Sequence, residues 1–121
     1  MQNKTEFYPC TIAKGYSEDT MKSYFDLFID ADMVEDYDLL FEKYENYANG
    51  YGWEGLIITL ARECAPEIEQ ELDFDSEAGT FVCYLTNEHT LLKLATLISQ
   101  MCANPDFMET MLSKVPTELR G

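Results

Sequence analysis

The chain has 121 residues, of which 46% are hydrophobic and 13% aromatic, a composition typical of a folded protein rather than a disordered one. Its 23 acidic residues against eight Lys and Arg give a formal net charge of −15 at pH 7. This charge weighs against binding to nucleic acid or to an anionic membrane and favours a cationic partner; an acidic surface that only maintains solubility is the alternative. The length fits a single domain over residues 1–121.

No targeting segment is predicted. The first 14 residues lack the apolar stretch of a secretory signal, and no apolar run reaches the roughly 20 residues that cross a bilayer, so we expect a cytoplasmic protein. The four cysteines never occur as C-x-x-C, which disfavours a zinc or redox site. We expect reduced cysteines, with Cys64, Cys83 and Cys102 on apolar faces, although a disulfide or a reactive thiol stays open.

The N-terminal quarter of the chain predicts a β-hairpin. Residues 7–12 are predicted as a short strand in which Pro9 marks an edge or a start, and residues 15–19 as a loop. The predicted second strand, 24–29, alternates at a period of two residues. Its apolar face carries Phe25, Leu27 and Ile29.

An acidic amphipathic helix is predicted from about Met33 to Tyr47, with Asp30 or Asp32 available as its N-cap. Lys43 has no acid three or four positions away, so the acids of this helix are uncompensated within it. Like charges at such a spacing cost about 0.2–0.5 kcal/mol per pair, so the pattern favours a surface that faces a partner. The acidic stripe consists of Glu35, Asp38, Glu42 and Glu45.

Gly50 and Gly52 are predicted to end this helix in a sharp turn that leads to a second helix over residues 53–64. Residues 67–74 then alternate polar and apolar side chains; a strand in the later half and a further helical turn at the start both stay open. Residues 80–86 give the clearest strand, β-branched and aromatic, which pairs with the preceding segment as a second hairpin.

Two asparagines predict where the last two helices begin. Asn87 precedes a helix over residues 88–103, whose broad apolar stripe includes Leu92, and Asn104 precedes a helix over 106–114. Strands on both sides of a helical pair define an α+β fold. We expect one small antiparallel sheet of two hairpins, packed against about four helices.

Two motifs about 20 residues apart carry a family resemblance. The first is Asn49-Gly50-Tyr51-Gly52-Trp53, and the second, at 74–81, has the form F-D-x-E-A-G-x-F. In this order they resemble the bacterial polymorphic-toxin immunity proteins, in particular the immunity protein 51 family, over roughly residues 49–100. The chain departs from the pattern at Gly52, where an acidic residue is expected, and at Thr80, where a Met is expected.

The resemblance implies a binding protein rather than an enzyme, with no cofactor. Its implied partner is the C-terminal toxin domain of a contact-dependent growth inhibition system or a related secreted system, often a nuclease. A nuclease presents a cationic cleft to its substrate, and an acidic protein can be steered to that cleft and cover it in a 1:1 complex. The expected contact residues are the acidic stripe and a second acidic group: Glu35, Asp38, Glu42, Glu45, Asp73, Asp75 and Glu77.

Two other functions stay open. The first is an acidic DNA mimic that inhibits a nucleic-acid enzyme. The second is a small hydrolase or a metal-dependent enzyme, which the residues support weakly. His89, the only histidine, is six positions from Cys83 and has no orienting third group. The acidic run at 73–77 departs from a calcium-binding loop because Ala78 stands where that loop needs Gly.

Overall fold

A four-stranded antiparallel sheet organises the fold in a computed structural model that describes residues 7–121. The strands are β1 (Thr11–Ser17), β2 (Lys22–Asp30), β3 (Asp73–Phe74) and β4 (Thr80–Leu85). Their order across the sheet is β1-β2-β4-β3. The two predicted hairpins are confirmed, and pairing of β2 with β4 joins them into one sheet.

Helices pack on one face of this sheet. The α-helices of the described chain are α1 (Asp38–Lys43), α2 (Gly50–Cys64), α3 (Glu88–Ala103) and α4 (Pro105–Lys114). Short 3-10 helices occur at Ala31–Tyr37, Pro66–Glu71 and Thr117–Leu119. The second of these precedes β3, so both alternatives left open for residues 67–74 occur. The predicted α+β class is confirmed.

The first strand starts later than its sequence pattern predicts. Residues 7–9 form a turn, closed by a 2.7 Å hydrogen bond from the Cys10 amide to the Phe7 carbonyl, and β1 then continues into the predicted loop. Pro9 has no amide hydrogen to give to a ladder, whereas the backbone of residues 13–17 finds partners on β2. The predicted alternation of β2 is confirmed by the burial of Phe25, Leu27 and Ile29.

The predicted continuous helix from Met33 to Tyr47 is wrong. The 3-10 helix that follows β2 is kinked at the buried Val34, whose φ of −130° and ψ of 36° are not helical. The predicted cap is present, because the Asp30 carboxylate accepts a 3.1 Å hydrogen bond from the Asp32 amide. Only six residues then form α1.

A Schellman motif ends α1. The Glu45 amide donates to the Glu42 carbonyl at 3.0 Å, and the Asn46 amide donates to the Phe41 carbonyl at 3.1 Å. Glu45 occupies the left-handed position of this motif, with φ of 57°. Asn46 is buried, and its side-chain oxygen accepts hydrogen bonds from two backbone amides, one of them at Gly121. The apolar spacing predicted a helix that continues to Tyr47, because such spacing carries no information about a polar turn that ends a helix.

Gly50 and Gly52 lie inside the first turn of α2, so the prediction that they end the preceding helix is wrong. Asn49 caps this turn, with its side-chain oxygen accepting from the Gly52 amide at 2.7 Å. Neither glycine has a positive φ. Both permit close approach instead: a β-carbon on Gly50 would overlap the Glu77 carbonyl oxygen, and one on Gly52 would overlap the Tyr47 carbonyl oxygen.

The last two α-helices begin where their asparagine caps predict. The side-chain oxygens of Asn87 and Asn104 each accept hydrogen bonds from amides in the first turn. The prediction that Leu92 belongs to the buried stripe is wrong, because its side chain is 42% exposed. It lies about 160° from the buried Leu94 on a helical wheel, and Thr90 takes the core position.

The cysteines follow the prediction with one exception. Cys10 and Cys83 are buried and Cys102 is half-buried, as expected of small apolar side chains. The prediction that Cys64 lies on a buried apolar face is wrong. It is exposed at the last position of α2, and the next residue, Ala65, is buried in its place.

Candidate partner-binding surface

Four carboxylates are paired with cations that other segments contribute. The pairs are Glu63–Lys114, Glu67–Lys93, Glu69–Arg62 and Glu109–Lys43, at 2.5 to 2.9 Å. The hydrogen bond from Lys93 lowers the pKa of Glu67, and the one from Lys43 lowers the pKa of Glu109. The fold itself therefore neutralises much of the charge that these acids carry.

The seven acids predicted to contact the partner lie outside these four pairs, and all seven are exposed. Glu45 approaches Arg120 only at 3.9 Å, with 88% of its side chain exposed. Within residues 7–121 the other six form no ion pair: Glu35, Asp38, Glu42, Asp73, Asp75 and Glu77. The lack of compensating cations, which the sequence predicts for the acidic stripe, therefore persists in the folded protein at these positions.

Three residues of the acidic stripe come together around an exposed tyrosine. Asp38 and Glu42 line a shallow depression of about 250 Å³ with Tyr47, and Glu42 and Glu45 line an adjoining one of about 390 Å³ with the same tyrosine. Tyr47 is 67% exposed. We call Asp38, Glu42, Glu45 and Tyr47 the α1 cluster. Glu35 lies outside it, in the 3-10 helix before α1.

The β3–β4 turn, residues 75–79, is held against two helix starts. The Gly50 amide donates to the Ala78 carbonyl at 2.8 Å, and the Ala31 amide donates to the Gly79 carbonyl at 3.0 Å. The two motifs of the family resemblance therefore touch each other in space. We call the contact between Gly50 and residues 77–78 the motif junction.

The α1 cluster lies next to the motif junction. Asn49 precedes Gly50 and also lines the depression that contains Asp38 and Glu42. The exposed Glu77 belongs to the turn on the other side of the junction, where its backbone pairs with Thr80. The structure thus places the α1 cluster and the turn on either side of one packed contact.

Asp73 and Asp75 belong to a different part of the surface. Asp73 is on β3, directly opposite Tyr84 of β4. The Asp75 carboxylate accepts a 3.2 Å hydrogen bond from the Tyr84 hydroxyl, and this bond raises the pKa of Tyr84. The two acids are therefore grouped with the sheet rather than with the α1 cluster.

Acidic and aromatic residues beside Asp73 were not among the predicted contact residues. Tyr24 and Asp26 of β2 lie on the same face of the sheet as Tyr84, and both tyrosines are exposed. A signal was present, because period-two alternation turns Tyr24 and Asp26 away from the buried face of β2. The pairing of β2 with β4, which brings them to Tyr84, left no comparable signal in the sequence.

Cys83 and His89 are not placed as a nucleophile and its base. Cys83 is buried, and burial raises its thiol pKa to about 12, so the thiol stays protonated at neutral pH. His89 is exposed in the first turn of α3. Among residues 7–121 no group of three or more His, Cys, Asp or Glu is arranged to hold a metal ion, and no helix is long and apolar enough to cross a membrane.

Fold and surface together define a class: a small acidic α+β protein with uncompensated carboxylates beside exposed aromatic side chains. Residues 16–116 match the family model described as Immunity protein 51, and the chain belongs to this family. The family indicates a toxin-neutralising role with a toxin as partner, and it is generally non-enzymatic. No curated protein and no solved structure matches the chain.

Proposed function

We propose that the chain neutralises a toxin domain with a cationic, nucleic-acid-cleaving active site by covering that site with acidic surface in a 1:1 complex. The toxin is the C-terminal domain of a contact-dependent growth inhibition system or a related system, and the two proteins meet in the cytoplasm. The contact residues are Glu35, Asp38, Glu42, Glu45, Asp73, Asp75 and Glu77.

The grouping of unpaired acids around the exposed Tyr47 carries this proposal. Acids at the end of α2, in the following 3-10 helix and on α4 receive cations from other segments. Within residues 7–121 the selected acids have at most the 3.9 Å contact to Arg120. Exposed like charges repel each other and slightly destabilise the fold. A cationic partner that docks on these acids attracts each carboxylate and offsets the repulsion among them.

The backbone at Glu45 supports the same surface. A non-glycine residue in the left-handed region costs about 1 kcal/mol or more, and glycine is the usual residue at this position of a Schellman motif. Glu45 nevertheless adopts φ of 57° and presents an exposed carboxylate beside Tyr47. Residues in sparsely populated backbone regions cluster at functional sites, which supports a binding role for Glu45.

Exposed apolar side chains accompany the acids. Leu39 of α1 is 78% exposed, Met33 of the preceding 3-10 helix 75% and Tyr47 67%. Protein interfaces obtain affinity from a few large side chains that become buried, while charges set encounter rate and specificity. The segment from Met33 to Tyr47 offers both kinds of group.

The inhibitory mechanism follows from the substrate of a nuclease. An active site that binds phosphates must be lined with cations, and an acidic surface is attracted to it over a distance comparable to the Debye length. A standard interface of about 1,600 Å² is enough to hold a complex together and to exclude a nucleic-acid strand from the cleft.

The test replaces Asp38, Glu42 and Glu45 together by Lys, because neighbouring carboxylates substitute for one another. With the toxin domain encoded beside this gene, we expect the association rate at low ionic strength to fall about tenfold or more and its salt dependence to flatten. Stopped-flow fluorescence measures both quantities, and survival of cells that express the toxin measures protection.

The matched control replaces Glu18, Asp19 and Glu88 by Lys, which changes the net charge by the same amount. All three residues are exposed; Glu18 and Asp19 lie in the turn before β2, and Glu88 lines a depression with Lys22 at the start of β2. This end of β2 is roughly 27 Å along the strand from the 3-10 helix that precedes α1. Equal slowing by both triple variants would show that net charge alone attracts the toxin and would contradict the proposal. An unchanged rate in the α1-cluster variant contradicts it as well.

A further inference from the structure

The face of the sheet opposite the buried one combines aromatic and acidic side chains. Tyr24 and Tyr84 on this face are 40% and 39% exposed, and Phe28 and Val82 are partly exposed. Alternation along β2 and β4 turns these residues away from the core. We call the following residues the outer face: Tyr24, Asp26, Phe28, Val82, Tyr84 and Asp73.

Strand register places a carboxylate on either side of Tyr84. Asp26 of β2 and Asp73 of β3 are its direct neighbours across the sheet. Their backbones are roughly 10 Å apart, two strand spacings, with the tyrosine between them. Asp75 adds a third carboxylate at the Tyr84 hydroxyl, 3.2 Å away. The centre of the outer face is therefore an aromatic ring surrounded by negative charge.

Asp26 is under-satisfied in this position. One of its carboxylate oxygens is buried and accepts no hydrogen bond from the described residues. A carboxylate oxygen withdrawn from water without a donor is unfavourable, and a cation brought against the same carboxylate offsets that cost. The electrostatics of the outer face thus favour an arriving positive charge.

The side chain of Tyr24 packs over a glycine on the neighbouring strand. Gly15 and Tyr24 pair directly across β1 and β2, and a β-carbon on Gly15 would overlap the Tyr24 ring. The ring therefore lies over the glycine. A tyrosine side chain has few rotatable bonds and therefore loses little conformational freedom when a partner covers it.

We propose that the outer face receives an arginine or lysine side chain of the toxin, which packs against the Tyr84 ring between Asp26 and Asp73. The inference rests on the proposed function and assigns part of the interface. Charge complementarity selects this occupant, because a cation gains both from the face of an aromatic ring and from charge-assisted hydrogen bonds to carboxylates. A second copy of the chain carries the same charge of −15 and is repelled.

The test measures how fast the toxin domain encoded beside this gene dissociates from Asp26→Asn and Tyr84→Ala variants. Loss of one partner of a desolvated charge contact acts mainly on dissociation, and we expect each substitution to raise the dissociation rate about tenfold. Tyr84→Phe keeps the ring and should stay within about threefold of the original rate. Gly15→Ala displaces the Tyr24 ring without changing charge and should also speed dissociation.

Asp19→Asn is the matched control, since it removes one exposed carboxylate from the β1–β2 turn. Thermal unfolding of each free variant verifies its fold, and if Tyr84→Ala does not fold, Asp26→Asn decides. Should Asp26→Asn dissociate like the control while the α1-cluster variant associates slowly, the proposed function stands and the outer face is not a contact. If the unsubstituted protein does not bind the toxin domain, the proposed function falls and this inference with it.

Discussion

Two triplets of carboxylates with similar spacing reach opposite electrostatic outcomes in this molecule. The first consists of Asp38, Glu42 and Glu45. The second consists of Glu63, Glu67 and Glu69. Each member of the second triplet has a cation within 2.9 Å, whereas the first triplet, in the part of the chain that the structure describes, has only the 3.9 Å contact to Arg120. Acidic residues near a helix end therefore stay uncompensated in one place and form three separate ion pairs in the other.

The two regions also differ in what holds them in position. Ion pairs fasten the end of α2 and the following 3-10 helix to α3 and α4. The surroundings of the α1 cluster are fixed by backbone contacts at the motif junction and by the buried side chain of Asn46. Packing that uses no charge leaves the carboxylates beside it available for a partner.

Alanine at Gly50 or Gly52 should give the largest loss of stability, because each β-carbon would overlap a backbone carbonyl oxygen. Alanine is normally favoured over glycine within a helix by about 1 kcal/mol, so the expected loss of about 2–3 kcal/mol reverses the usual sign. Urea unfolding of the free protein measures it.

Gly79→Ala is the control, since a β-carbon there meets no atom within 4 Å. It should change the free energy of unfolding by no more than about 0.5 kcal/mol. A stabilising effect of Gly52→Ala would show that the surroundings of the α1 cluster are not held by close backbone packing, and the contrast between the two regions would lose its structural basis.

A second, smaller effect concerns Glu45→Gly, which should stabilise the free protein by about 1 kcal/mol, because glycine adopts a φ of 57° without strain. The same replacement at Glu42, inside α1, should destabilise by about 1 kcal/mol. Chemical denaturation of both variants gives the two signs. If Glu45→Gly proves less stable than the original protein, its carboxylate has a stabilising partner and does not belong with the uncompensated acids.

The smallest expected effect is a difference in pH dependence. Hydrogen bonds from Lys93 and Lys43 lower the pKa of Glu67 and Glu109 from 4.5 in the folded protein. A lowered folded-state pKa contributes stability that is fully present above the unfolded-state value and is lost as pH falls through the folded-state pKa. Glu67→Gln should therefore be less stable at neutral pH, with the gap to the original protein closing below pH 4.5.

Glu42→Gln is the control for this measurement. Its carboxylate has no ion pair in the described chain and lies near Asp38 and Glu45, so neutralising it should leave the free protein equally stable or slightly more stable at neutral pH. Unfolding midpoints in urea, compared at neutral pH and at several values below 4.5, separate the two cases. Similar losses at both positions would mean that the two groups of acids are not distinct.

Local signals in the sequence predicted most of the elements. Asn87 and Asn104 located two helix starts because a cap acts on amides within three residues of itself. Alternation in β2 and β4 identified the buried face of the sheet, because neighbouring residues of a strand point to opposite faces. The prediction for Gly50 failed because a distant segment decides there: the Glu77 carbonyl lies where a β-carbon would be. The predicted helix from Met33 to Tyr47 failed for a local reason, since the Schellman motif at Glu45 ends α1 early.

The candidate surface was only partly accessible from the sequence. The excess of negative charge and its position along the chain could be read directly, and the acidic stripe is exposed as expected. Which acids acquire a cation depends on how helices pack, so Glu63 and Asp38 could not be distinguished beforehand. Asp26 and Tyr84 are 58 positions apart, and only the order β2-β4 makes them neighbours.

The motif junction makes this protein a convenient scaffold for redesign. The contact depends on the Gly50 amide and on the backbone carbonyls of residues 77–78, not on the side chains around them. Glu77 is exposed and Tyr51 is 50% exposed, so both can be exchanged while the frame beneath them stays intact. Libraries that vary these positions could be selected for recognition of other toxins while the fold stays the same in every variant.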